Sequence, residues 1–130
     1  MNVRLLLDTH AFLWWLAGHR SMSRPARAAI EDDKAEVLVS AASAWEITTK
    51  YRLGKLPEAA LVARDVLAAI ESQRFVALPV SVKHAQLAGS LAGPHADPFD
   101  RMLMAQAMLD ELTLVSNERR FDAYGLKRLW

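Results

Sequence analysis

The chain contains no cysteine. That one absence excludes disulfides, thiolate zinc centres and cysteine nucleophiles together. Net charge is also nearly absent: 16 Lys and Arg against 15 Asp and Glu leave a formal +1. Nothing in the overall balance draws the protein to a polyanion, so any such site has to be a local basic patch. No apolar run is long enough to span a membrane. The opening stretch Met1 to Asp8 is too short an apolar segment for a secretion signal. Internal repeats, linkers and low-complexity tracts are missing as well. What remains is 130 residues, 52% hydrophobic and 24% charged, an ordinary balance for one domain, residues 1–130, with a proper core. The expectation is a soluble cytoplasmic protein.

Taken in order, the chain alternates two kinds of segment. Val3 to Leu7 is a short apolar run closed by Asp8, which suits a buried parallel strand. Thr9 is placed to cap a helix carrying Phe12, Leu13, Trp14, Trp15 and Leu16, and two adjacent tryptophans cannot both point into the core, so either one faces a partner or both pack against neighbouring helices. Ser23-Arg24-Pro25 opens a second helix running to about Asp33. Glu36 to Ser40 reads as the second strand, and Ser40 or Ser43 caps a helix through Tyr51, ended by Gly54. Leu61, Val62, Val66, Leu67 and Ile70 recur at helical spacing as one further helix. Phe75 to Leu78 is a third strand, and Ser81 starts a helix with His84 and Leu87. Gly93-Pro94 breaks the chain, and Leu112 to Ser116 is a fourth strand. Alternation of this kind defines an α/β fold with a small parallel sheet.

Between the break and the fourth strand stands His95-Ala-Asp97-Pro98-Phe99-Asp100-Arg101. Asp before Pro is a strong helix start, with Asp97 as N-cap and Pro98 as first helical residue. Met102 to Leu109 is almost wholly apolar, so two acids sit at the start of a core helix, where charge is costly unless something offsets it. Capping accounts for Asp97, and Asp97 can also pair with Arg101 one turn on. Capping does not account for Asp100. Asp8 ends the first strand, Glu118 follows the fourth, Glu46 lies about one turn into the helix after the second, and Asp100 opens the helix before the fourth. In open α/β sheets the carboxyl edge is where ligands bind. Four acids from four segments meeting there suit a hard divalent cation, Mg²⁺ or Mn²⁺.

These residues carry a resemblance. Leu5-Leu6-Leu7-Asp8-Thr9-His10, Ser43-Ala44-Trp45-Glu46-Ile47, the Asp97–Arg101 motif, and Leu114-Val115-Ser116 followed by Phe121-Asp122-Ala123-Tyr124-Gly125 resemble the PIN domain, and more closely the VapC toxins of bacterial toxin–antitoxin pairs. The resemblance covers nearly the whole chain. It implies a three-layer fold with a mostly parallel sheet of four to five strands flanked by helices. It further implies a Mg²⁺-dependent endoribonuclease, dimeric, silenced by a VapB-like antitoxin. The family acids fall on Asp8, Glu46 and Asp100, with Asp97 beside them as a further candidate metal ligand. The fourth falls on Glu118, one methylene longer than the usual Asp, and acts directly or through water. Metal-activated water attacking phosphorus would leave a 5′-phosphate and a 3′-hydroxyl without help from the 2′-hydroxyl.

His10 and His95 lie near the acids in sequence and could orient a carboxylate or meet a phosphate. Lys50, Arg52, Lys55, Arg101, Arg119 and Arg120 are the candidates for holding an RNA backbone. Two rival readings stand beside the nuclease. An apolar strand ending in Asp8-Thr9 also resembles haloacid-dehalogenase-like phosphotransferases, but their second acid, two residues on, is replaced by His10. The other is a PIN-like module kept for binding RNA or protein, against which the complete acid set argues.

Overall fold

The computed structural model describes residues 3–130, so Met1 and Asn2, which open the stretch read above as too short for a secretion signal, lie outside the described residues. The first strand, β1 (Val3–Leu7), passes straight into the interior, where Leu5, Leu6 and Leu7 are wholly buried. Successive side chains leave a strand on opposite faces. Leu5 and Leu7 therefore join one hydrophobic cluster and Leu6 the other. In β2 (Ala35–Ser40) Val37 and Val39 face the first cluster and Leu38 the second; in β4 (Thr113–Val115) Val115 and Leu114 divide the same way.

Strands apolar on both faces need cover on both. The first face is covered by α1 (Thr9–Ala17) through Phe12, α2 (Arg24–Glu31) through Ala26 and Ile30, and α3 (Ala41–Arg52) through Ile47. A short 3₁₀ turn (Pro57–Ala59), α4 (Ala60–Arg64) and α5 (Val66–Ser72) complete it, with Val66 and Ile70 inward. The second face is covered by α7 (Pro98–Leu109), through Leu103, Met104 and Ala107, and by Phe121 from a 3₁₀ segment (Arg119–Tyr124). Helix α6 (Val82–Ser90) packs on α7. The result is the three-layer α/β/α fold expected.

Five strands make one sheet in the order β3 (Val76–Leu78), β2, β1, β4, β5 (Arg128–Leu129), and every pairing is parallel. The chain builds outward from β1 on one side and then crosses to build outward on the other. β1 is thus the switch point, where loops diverge above the strand ends and a crevice opens. Among the described residues no helix is long and apolar enough to cross a membrane.

Two local expectations are corrected, at Thr9 and at the helix through Leu61 to Ile70, and two open alternatives are resolved, at the α3 cap and at the paired tryptophans. Thr9 does not cap α1; Asp8 does, accepting from the Ala11 amide at 2.8 Å, and Thr9 turns inward. Ser40, not Ser43, caps α3 through the Ala42 amide. The helix expected through Leu61 to Ile70 is two helices, because Asp65 leaves helical geometry at φ −159° and caps α5 through the Ala68 amide at 3.0 Å. Trp14 and Trp15 are both half-buried within the chain: Trp15 packs on Phe75 and donates to Gln73, and Trp14 lies between His10, His19 and Trp130.

Phe121 is fully buried, whereas Leu61 is 80% exposed. Phe121→Ala is expected to cost about 3–5 kcal/mol by denaturant unfolding. Leu61→Ala should stay within about 0.5 kcal/mol. Comparable losses at the two positions would contradict this placement of the core.

Candidate active site

Above the carboxyl ends of β1, β2 and β4 lies a cleft of about 120 Å³, lined by Asp8, Glu46, Asp97, Asp100 and Glu118 together with Thr9, His10, Lys50, His95 and Arg120. All the acids expected at the site reach it. Each arrives by a different local device. Asp8 is carried to the edge by β1, and its backbone amide is tied to the Val115 carbonyl of β4 at 3.1 Å. Glu46 sits in the second turn of α3 and is buried. Its Oε1 accepts from the Thr9 hydroxyl at 2.5 Å, and its Oε2 pairs with Lys50 one turn further on. Asp97 caps α7 by accepting from the Phe99 and Asp100 amides at 2.8 and 3.1 Å. Asp100 follows in the first turn, its Oδ2 3.0 Å from His95 Nε2. Glu118 leaves β4 after Ser116, whose hydroxyl accepts from the Glu118 amide, and pairs with Arg120 at 2.7 Å.

The electrostatics follow from burial and crowding. Burial pushes the Asp8 carboxyl above its ordinary range, against the Ser116 hydroxyl, the Ala11 amide and His10, which favour its charge. Asp100 is raised to about 7, first by burial and then by Asp97, Glu46, Asp8 and Glu118. Carboxylates from all four other positions therefore act on one group. Burial works against the Lys50 ammonium, but its bond to Glu46 and the charges of Glu46, Asp97 and Asp100 outweigh it and raise its pKa.

The donor chemistry fits a hard divalent cation: carboxylate oxygens from separate segments, repelling one another across a small polar cleft. Among the described residues, no three acid or imidazole groups are set as a closed ligand group. Lys50, His95 and Arg120 instead draw Glu46, Asp100 and Glu118 to themselves.

The basic residues separate into three groups. Lys50 and Arg120 line the cleft. Arg52, Lys55 and Arg119 are exposed and do not line it. Arg101 neither pairs with Asp97 nor faces the cleft: it donates to the carbonyls of Ala88, His95 and Leu91 at 2.8, 2.9 and 2.5 Å. A guanidinium with five fixed donors suits three converging carbonyls better than one half-buried carboxylate already spent on capping. Arg101 is therefore a clamp that ties the segment between α6 and α7 to the end of α6, turned away from the cleft.

Two residues of the site carry no sequence signal of their own. Thr9 holds Glu46 across 37 positions, and its hydroxyl is 3.1 Å from that of Ser43. Tyr124 accepts from the His95 amide at 3.1 Å, and its hydroxyl lies where a Cβ on Gly93, at φ 110°, would come within 2.4 Å. Phe121 meets the His95 ring edge-on at 5.6 Å. His95 is thus fixed through its amide, its ring face and its Nε2. His10 is exposed at the cleft rim, its ring 5.6 Å from that of Trp14.

With this geometry in view, comparison with known proteins is informative. The PIN domain family matches residues 5–127. Ribonuclease VapC22 of Mycobacterium tuberculosis is 30% identical over 120 residues, covering 92% of this chain and 91% of that protein. Ribonuclease VapC16 of the same organism is 45% identical over 62 residues, but the match spans only 48% of this chain and 43% of that protein. Among solved structures, VapBC2 from Rickettsia felis, bound to a DNA fragment from their promoter, aligns over 98% of both chains with a TM-score of 0.70. At 16% identity that likeness is one of fold. The chain belongs to the PIN domain family. Within that family its near full-length likeness to VapC22 sets it beside the VapC proteins.

Two outcomes follow for the metal-free protein. Asp100 has a folded pKa of about 7 against 3.8 when free, so between these values the folded state holds the extra proton. Its contribution is fully present below about pH 4 and is lost as pH rises through about 7. In EDTA, Asp100→Asn should match wild type near pH 4 and exceed it near pH 8 in melting temperature. A variant equally or less stable at both would contradict the crowding. Separately, Arg101→Ala leaves three carbonyls without a charged donor and should cost on the order of 3 kcal/mol. Unchanged stability with weakened RNA affinity would return Arg101 to the RNA path.

Proposed function

We propose that this protein is a metal-dependent endoribonuclease acting as the toxin of a toxin–antitoxin pair in the bacterial cytoplasm. One observation carries the reading: five carboxylates from four segments line one cleft at the switch point of the sheet, where burial first and then the charges of the other four raise Asp100 to about 7. Family membership and the likeness to a ribonuclease of the VapC group support it.

The residues divide the work. Asp8, Glu46 and Asp100, with Asp97 at their side, would hold Mg²⁺ or Mn²⁺. When bound, such an ion lowers the pKa of water and offsets charge developing at phosphorus. Thr9 aims Glu46, and the clamped His95 aims Asp100, so neither carboxylate swings freely. Lys50 and Arg120 stand at the walls, where they release their acids to a cation and turn toward the phosphates of the strand. Glu118, reaching in from the segment after β4, would orient a water.

An apolar groove of about 540 Å³, lined by Leu13, Trp14, Leu16, Leu61 and Val62, adjoins the cleft and shares His10 with it. A VapB-like antitoxin laying an apolar stripe there would bring its chain to the acids and block them. Leu67, Val76 and Val82, exposed elsewhere, offer the apolar surface a homodimer would cover.

The test is cleavage of single-stranded RNA with Mg²⁺ by purified protein. Wild type should give products with 5′-phosphate and 3′-hydroxyl ends, and 2′-deoxy substitution at the cut should not abolish the reaction. Asp8→Asn and Asp100→Asn should each lower the rate by at least about a hundredfold, taking the loss of one ion's several kcal/mol as the scale. Expression of wild type alone should arrest bacterial growth, and expression of Asp8→Asn should not. Cleavage retained by both variants would overturn the site.

A further inference from the structure

One aromatic residue beside the cleft has no part in the core or in holding the acids. Trp45 is 64% exposed, although indole is among the side chains a folded protein most consistently covers. It precedes Glu46 on α3, and its ring meets Phe99 in a T-shaped contact, centroids 5.1 Å apart and planes at 78°. Phe99 lies under the Lys50 ammonium, 5.9 Å from the ring centroid, and Lys50 is paired with Glu46. The contacts thus run indole, phenyl, ammonium, carboxylate, and the aromatic ledge begins where the acid cleft ends. Phe99 is also held by its neighbours in the chain, since Pro98 and Asp100 fix the first turn of α7. A T-shaped contact engages at most one face of the indole, so ring surface remains open to solvent.

We propose that Trp45, backed by Phe99, is a stacking site for a nucleobase of single-stranded RNA flanking the scissile phosphate. The proposal rests on the ribonuclease reading above. Its immediate surroundings on α3 favour a base over an apolar protein partner. Thr48 and Arg52, one and two turns on, are polar, and one turn before stands only the small Ala41, so no broad apolar patch extends along this face of α3 around the ring. A protein interface needs a broad apolar patch, whereas a base needs one π-face and a cation for its phosphate. Arg52 is exposed two turns along the same face, about 10 Å from Trp45, within reach of a neighbouring phosphate. Since every base has a π-face, the site would tolerate sequence but demand an unpaired strand.

The test measures binding without cleavage, in the Asp8→Asn background, by anisotropy of a short fluorescein-labelled single-stranded RNA with Mg²⁺. Trp45→Ala and Trp45→Leu should weaken binding about tenfold or more, and Trp45→Phe should stay within about threefold. Trp45→Leu keeps an apolar side chain without a π-face, so it separates stacking from general contact. RNAs carrying one abasic position, moved along the strand, should identify one position at which the loss and the Trp45→Ala loss fail to add. Thermal melts of all variants should coincide, since the ring is exposed. Equal RNA affinity in all three variants overturns the stacking site while leaving the nuclease in place. Altered oligomeric size in Trp45→Leu with unchanged RNA affinity overturns it in favour of a protein contact. If folded wild-type protein neither binds nor cleaves RNA with Mg²⁺, the ribonuclease reading fails and the stacking site fails with it.

Discussion

The structure turns on one electrostatic constraint: carboxylates gathered over the carboxyl edge of a parallel sheet, where burial and mutual repulsion oppose their charge. Desolvation, with a smaller push from Glu118, moves Asp8 upward, and desolvation with four neighbouring acids brings Asp100 to about 7. Such an arrangement persists because the surrounding fold gives each acid a local partner. The Ala11 amide holds Asp8, Thr9 and Lys50 hold Glu46, His95 holds Asp100, and Arg120 holds Glu118. Unpaired charge at this depth would cost several kcal/mol per group. The same partners occupy the carboxylates that the proposed cation would take over.

A second layer of contacts serves the first. The loop between α6 and α7 has few apolar anchors, yet it carries His95 against Asp100. Arg101 ties its Leu91 and His95 carbonyls to that of Ala88 in α6, Tyr124 takes the His95 amide, and Phe121 seats the ring from the core. The close approach of Gly93 to Tyr124 leaves no room for a side chain there. Core packing beneath β4 and catalytic geometry above it are therefore linked through a few residues of the last 3₁₀ segment. On the opposite wall, Phe99 and Lys50 join the cleft to the exposed indole of Trp45.

Much of this was legible in the amino-acid sequence, and the reasons are specific. β1, β2 and β4 stand out because a strand apolar on both faces reads as an unbroken run closed by a polar residue, and the acids stand out because all but Glu46, which lies in the second turn of α3, sit at an element's end. β5 is two residues long and has no pattern to read. The break at Asp65 is masked because Leu61, Val62, Val66 and Ile70 keep helical spacing straight through it. Thr9 and Tyr124 stood within recognisable motifs, but their contacts were not legible because their partners lie 37 and 29 positions away. Arg101 misled for the opposite reason: its one-turn spacing from Asp97 suggested a pair, while the carbonyls it actually meets are backbone groups that no residue type announces.

The central claim, that these acids form one cation site, is tested most directly by thermal melts of wild type and Asp8→Asn, each in EDTA and in Mg²⁺. Asn caps a helix about as well as Asp, so the substitution removes charge and leaves the start of α1 intact. At about ten times its dissociation constant, Mg²⁺ should stabilise wild type by roughly 1.4 kcal/mol, a rise of a few degrees for a domain of this size. Asp8→Asn should lose most of that rise while melting in EDTA at or above the wild-type temperature. Equal metal responses in the two proteins would contradict the claim.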